Sequence, residues 1–307
     1  MSFLTKIDTT DINEAMEIGN HNFKVEKVSL KTVGDINVPD HVGIINADTG
    51  QYLGTVGKGW IPVQPEVIYD MANHLIESTN GKINGVFNMF GGSVIGVSFT
   101  LAEREYVAGD KTDLNFIMCT SFNGMYGISG SATTNRLACL NQVNTSSKIY
   151  NLRHTRFVNN RLEVVKNILT FYDNEIKDFD KKMMKLTNIR MNQKEAIEWF
   201  RGLFPDPKSP KSAKMLDNQT TIFLDNLNNG RGSEIVGVKG TSYGAFQALT
   251  EYINHNRSVK VHHGREEEEV RFQSIHFGSG NTLAQRGLTD LTSSFVSEFT
   301  DDEFLIE

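Results

Sequence analysis

The feature that most constrains the fold is a run of apolar residues between Val158 and Leu186. Val158, Leu162, Val165, Leu169, Tyr172, Ile176, Phe179, Met183 and Leu186 follow one another at alternating spacings of four and three. That is a heptad pattern, and it puts one continuous apolar seam on a single helix. A helix of about thirty residues is roughly 45 Å long, longer than most globular helices. The seam can cover a sheet of the same chain, or it can meet a second copy.

What precedes this helix sets what it can pack against. Residues 114–135 are apolar, glycine-dotted and almost free of charge. Leu114–Cys119 reads as a buried strand, and Phe122–Ser131 as its hairpin partner, with Asn123-Gly124 as the turn signal. Upstream, Ile95, Val97, Phe99 and Leu101 alternate with smaller residues, a half-buried strand pattern. A short helix is expected over Thr10–Ile18, then strands around Phe23–Leu30 and over 41–48. A glycine-rich hairpin follows, and then a helix after Pro65. Asn135 is read as the cap of a short helix, RLACLNQV. Asn192–Phe204 is helical, as are the surroundings of Thr220–Leu227, Tyr243–Asn254 and Thr289–Val296. The stretch VHHGREEEEVRFQSIHF reads as a charged excursion.

These patterns predict an α+β protein: a mixed or antiparallel sheet with hairpins, packed on a long central helix, with a helical C-terminal part. Residues 1–204 are expected to form the α+β core. Pro205, Pro207 and Pro210 mark 205–214 as a Pro/Lys-rich loop or hinge. Residues 215–296 would continue the same fold, and 297–307 would be an acidic tail.

Charge narrows the function classes. The 307-residue chain has a formal net charge of −6, so any nucleic-acid surface must be a local patch. One such patch exists in the sequence. From Lys148 to Arg190 there are ten Lys/Arg and five Asp/Glu, a local excess of five positive charges. Lys148, Arg153, Arg156, Arg161 and Lys166 belong to it, and Arg136 lies just upstream. Such residues neutralise phosphates without reading sequence. Phe122, Tyr126 and Tyr150 are candidates to stack on unpaired bases.

Other chemistries fare worse. GTVGKG resembles a phosphate loop, but Tyr52 stands where the first glycine belongs and Gly59 where Ser or Thr is needed. His262 and His263 are adjacent and do not share a helix face. Cys119, Cys139 and His154 suggest a nucleophile and base, yet both thiols fall in apolar surroundings. Asp173, Glu175, Asp178 and Asp180 lie among lysines on the long helix and read as ion-pair partners. The expectation is therefore no catalytic site, no metal and no cofactor, with Mg2+ at most a modulator of annealing. No signal peptide or transmembrane run is evident, so a cytoplasmic protein of a bacterial host cell, away from membranes, is expected. Asp301, Asp302, Glu303 and Phe304 form an acidic-hydrophobic terminus of the kind that docks partner proteins.

Three blocks carry a resemblance: DTGQYLGTVGKGWIPVQ, TTNRLACLNQ followed by LRHT, and GTSYGAFQALTEYINH. Together they resemble the phage/plasmid-like family, domain of unknown function 932, departing from its pattern at Tyr243 and Phe246. That resemblance implies a setting in mobile-element DNA metabolism. The order of sheet, basic connection and long helix is also similar to the single-strand annealing proteins of phages, the RecT, Red-beta and Erf groups. This second likeness is one of architecture. It implies an oligomer, ring or filament, that holds single-stranded DNA in a basic groove. Arg136, Arg153, His154, Arg156 and Arg161 would contact phosphate there, and Lys58 and Trp60 would form the other wall. A host single-strand-binding protein or nuclease would be a further partner. The alternative is a mobile-element interaction or anti-defence protein that binds a host protein through the acidic tail or Glu266–Glu269.

Overall fold

The computed structural model describes residues 4–154, 161–261 and 265–293. Its centre is an antiparallel sheet in the order β1 (Leu4–Thr9), β5 (Lys82–Met89), β6 (Val94–Val107), β7 (Asp110–Ser121), β8 (Ile128–Arg136) and β10 (Tyr150–Leu152). β9 (Asn141–Asn144) pairs with the same edge of β8, beyond β10. A smaller sheet holds β2 (Val25–Lys31), β3 (Asn37–Asn46) and β4 (Tyr52–Gly57). The expected α+β class, with antiparallel sheets and a helical C-terminal part, is observed.

Period-two alternation gives the main sheet two different faces. Ile95, Val97, Phe99, Leu114, Phe116 and Met118 lie on one face. There they join α1 (Ile12–Ile18) and α2 (Glu66–Thr79) in a core. The opposite face carries Val94, Gly96, Ser98, Thr100, Asp113, Asn115, Ile117 and Cys119. Only part of that face is apolar, where Phe87, Met89, Val94, Ile117 and Cys119 pack under Phe272. Gly96 is required there: a Cβ would lie 2.1 Å from the Phe87 ring.

The long helix α3 (Arg161–Asn188) forms where the heptads predict it. Ile168, Tyr172 and Ile176 enter the sheet core, whereas Phe179, Met183 and Leu186 enter a second, helical core. One helix thus ties two cores together. The described seam residues from Val165 to Leu186 are covered by their own chain. From Val165 to Leu186 the idea of the seam as a subunit interface is therefore corrected, while Val158 and the Leu162 side chain lie outside the described residues.

The second core gathers α4 (Gln193–Gly202), α5 (Pro210–Asn229), α6 (Ser242–Glu251), a π-helical turn Tyr252–Asn256, α7 (Glu267–Phe277) and α8 (Ser279–Ser293). Asn192 and Glu195 close a capping box on α4, with bonds of 2.7 and 3.0 Å. Ser209 caps α5 and Pro210 occupies its first position. Of the expected 205–214 loop, residues from Pro210 onward are thus helical.

Two segments differ from expectation. RLACLNQV is a tight turn leading into β9 and not a helix. Leu137 and Leu140, three apart, mimic a helical stripe, but both are exposed, and Leu140 has φ of 58°. The charged stretch after Gly264 is helix α7. Its consecutive glutamates occupy the N-terminal turn, where negative charge favours a helix. Phe272, Ile275 and His276 form its buried face. Glu269 is itself buried and accepts a 3.2 Å bond from the Phe90 N–H.

Candidate nucleic-acid interface

The segment after β4 and the segment after β10 meet at one place. His154 donates from Nδ1 to the Ile61 carbonyl at 3.2 Å, and the Ile61 N–H returns a bond of 3.4 Å to the His154 carbonyl. Nδ1 carries the proton, so Nε2 accepts from the Thr120 hydroxyl, at 3.3 Å. The Trp60 ring stacks on His154 with centroids 4.4 Å apart and planes 23° apart. His154 is 7% exposed, and burial lowers its pKa to about 4, against a small upward pull from the Ile61 carbonyl. It is therefore neutral at pH 7. The expected phosphate contact at His154 is corrected: it is a buried spacer that positions Trp60.

Trp60 itself is half-buried, and Lys58, two residues before it, and Arg153, next to His154 in the chain, are exposed. Lys58 is held by its backbone. Its N–H donates to Asp40 at 3.0 Å, and its carbonyl accepts from Lys27 Nζ at 3.1 Å. Lys27 is thus a further cation of this surface. The chain pattern had not marked it, because it lies on β2, far away in sequence. Lys148 Nζ reaches Glu175 on α3 at 3.0 Å, and Tyr150 contacts Phe171 at 6.1 Å between centroids. The segment therefore runs antiparallel to α3, toward the N-terminal turns where Lys166 is exposed. Arg156 lies outside the described residues, as do His262, His263, Asp301, Asp302, Glu303 and Phe304, and the Arg161 side chain carries no description.

Other expected residues are elsewhere. Arg136 is 3% exposed, and its Nε donates to both Asp110 oxygens, at 2.7 and 2.9 Å. Its other nitrogens donate to the carbonyls of Arg231 and Gly232, at 3.2 and 3.0 Å. Tyr243 donates to the same carboxylate at 2.9 Å. Burial is the largest influence and opposes the charge on Arg136, but the Asp110 hydrogen bond and the electrostatic pull of Tyr243, Cys139 and Asp110 together outweigh it, so the guanidinium's pKa ends raised. Arg136 is a core ion-pair member and not a groove residue. It sits eight residues along β8 from Ile128, which pairs with Leu152, a separation of about 26 Å. Phe122 is wholly buried against Phe23, so it cannot stack on a base. Tyr126 accepts from Gln273 on α7 at 2.9 Å and lies against Phe277, on the opposite side of the sheet. Tyr150 is half-buried.

Cys119 and Cys139 are buried and unpaired, and burial pushes the Cys119 thiol up to about 12. Neither is a nucleophile near His154. Among the described residues no cluster of His, Cys, Asp and Glu is placed to hold a metal, and no helix is long and apolar enough to cross a membrane.

The fold and this surface define an α+β protein with a Trp60–His154 stack on one side of its main sheet and exposed lysine and arginine close to it in the chain. The family described as domain of unknown function DUF932 matches residues 52–276, well over half of the chain, and the protein belongs to that family. No curated protein and no solved structure matches it.

Proposed function

We propose that the protein binds single-stranded DNA across the Lys58–Trp60–Arg153 surface and promotes annealing of complementary strands. The observation that carries this reading is the Trp60–His154 stack. Two distant chain segments are pinned together, and each carries an exposed cation within two residues of the stacked rings. An aromatic platform with flanking Lys and Arg is the minimal equipment for holding an unpaired strand without reading its sequence. Annealing requires no catalytic residue and no cofactor. Bases facing outward pair with a second strand, and the protein supplies only phosphate neutralisation. The setting would be a phage or plasmid, and the working form an oligomer, ring or filament, that multiplies weak contacts. Its interface would use a surface other than the covered α3 seam from Val165 to Leu186.

The test is fluorescence anisotropy of a labelled oligonucleotide at low salt. The double variant Lys58→Ala/Arg153→Ala should weaken binding about tenfold for every sequence alike. It should also flatten the slope of log K against log salt by about 1.4. Trp60→Ala should cost about 1–3 kcal/mol. No binding by the intact protein at low salt, with or without Mg2+, would sink the proposal.

A further inference from the structure

On the other face of the main sheet, away from Trp60, lies a cleft of about 420 Å³. Its floor is β5, β6, β7 and β8; α7 and the π-helical turn form one side. The size falls within the range of small-molecule sites.

Its polar groups are built in and incompletely used. Asn84 Nδ2 donates to Thr100 Oγ1 at 2.7 Å and to Asn115 Oδ1 at 3.2 Å, and Thr100 donates to the same oxygen at 2.8 Å. This leaves the Asn84 carbonyl oxygen and the Asn115 amide nitrogen without a partner among the described residues. Asn115 is only 3% exposed, and both residues line the cleft. Exchanging N and O in both amides leaves the same inventory, one donor and one acceptor side by side. Both groups are open to the cleft, where water or a ligand can meet them.

The neighbouring groups extend the pattern. Asp113 is next on the same face of β7, opposite Asn135 of β8, and both line the cleft. Asp113 accepts no hydrogen bond from the described protein, and partial burial raises its pKa, Glu103 adding to this and Lys111 opposing it. His255, on the π-helical turn, donates from Nε2 to the Cys139 carbonyl and the Asn141 side-chain oxygen, leaving Nδ1 as a free acceptor. Ile117 and Phe272 supply an apolar wall. Turns of this π type often occur at functional sites.

We propose that this cleft binds an amino-bearing purine nucleoside, adenosine being the simplest, through the edge of its base. A paired amide donor and acceptor matches the N7 acceptor and exocyclic amino donor of adenine. The Asp113 carboxylate takes the second amino proton, and the planar ring lies along Ile117 and Phe272. The site is independent of the DNA surface, since it lies on the opposite sheet face.

Isothermal titration of the full chain with adenosine tests it, with purine riboside, which lacks the amino group, and uridine as comparisons. Sub-millimolar binding of adenosine is expected, with purine riboside and uridine at least tenfold weaker. Asp113→Asn and Asn115→Ala should each weaken adenosine at least tenfold with an unchanged melting temperature. Lys58→Ala/Arg153→Ala should leave adenosine binding unaffected. Should Asn115→Ala fail to fold, adenosine must instead shift the side-chain amide NMR signals of Asn84 and Asn115 in the intact protein. No adenosine binding at millimolar concentration, or binding indifferent to Asp113→Asn, would overturn the assignment.

Discussion

Arg136 and Arg153 belong to one basic stretch of chain and meet opposite fates. Arg136 ends β8 inside the protein, with Asp110, Tyr243 and two backbone carbonyls around its guanidinium. Arg153 follows β10 and is exposed beside Trp60. The difference lies in what stands across the sheet. Arg136 pairs in register with Thr112, two residues from a carboxylate that enters the core with it. Arg153 follows a three-residue edge strand, with no strand outside it in the sheet order. Positive charge along a chain therefore signals a ligand surface only where the strand order leaves it an open side.

The sharpest way to break this contrast is at Asp110. Asp110→Ala leaves a buried guanidinium without its carboxylate, and such a loss destabilises by about 3–5 kcal/mol. Urea denaturation should read that drop, while the folded fraction keeps its affinity for oligonucleotide. Arg153→Ala should do the reverse, with stability held within about 0.5 kcal/mol. If Asp110→Ala proved as stable as the parent, the claim that Arg136 is structural would fail.

Acid should loosen the interior next. Burial lowers the pKa of His21 and His154 to about 4 and of His276 to about 3, all from 6.5. The unfolded chain then binds more protons than the native one below pH 6.5. The stabilisation is complete above that pH and is lost as pH falls toward 4. Three such groups give a slope approaching about 4 kcal/mol per pH unit between those limits. Calorimetry between pH 7 and 5 should show a falling melting temperature. His154→Gln should reduce that fall, and a flat profile would contradict the neutral, buried imidazoles.

How legible all this was follows from the range of the forces involved. α3 and the β6–β7–β8 strands were readable because their apolar periodicities are local. The helix expected over Asn192–Phe204 was local too. Trp60 was expected on the wall opposite His154, and the two rings do stack, although His154 acts by packing. The burial of Arg136 was not readable, since its partners come from Asp110 and from Tyr243 on α6. Leu137 and Leu140 imitated a helix because spacing alone does not say which side faces water. The glutamates of α7 hid a helix whose buried face is Glu269, Phe272, Ile275 and His276, only two of them apolar. The polar cleft left no signal, because Asn84, Thr100 and Asn115 come from three strands and look like ordinary small polar alternation within each one.

The smallest expected effect concerns Glu175, and it discriminates between the two kinds of basic residue. Glu175 is nearly buried on α3, while its partner Lys148 is largely exposed. At Arg136 the carboxylate is needed to keep the cation in place. On the proposed reading, the carboxylate at Lys148 only competes with an incoming phosphate for a cation that water already solvates. Glu175→Gln keeps the shape and removes the competitor. It should therefore strengthen oligonucleotide binding about twofold, the scale of an exposed ion pair, and most clearly at low salt. Anisotropy titrations at two salt concentrations would show it. Weaker binding in the variant would mean that Lys148, like Arg136, depends on its carboxylate for position, and the open strip would shrink to Lys58, Trp60 and Arg153.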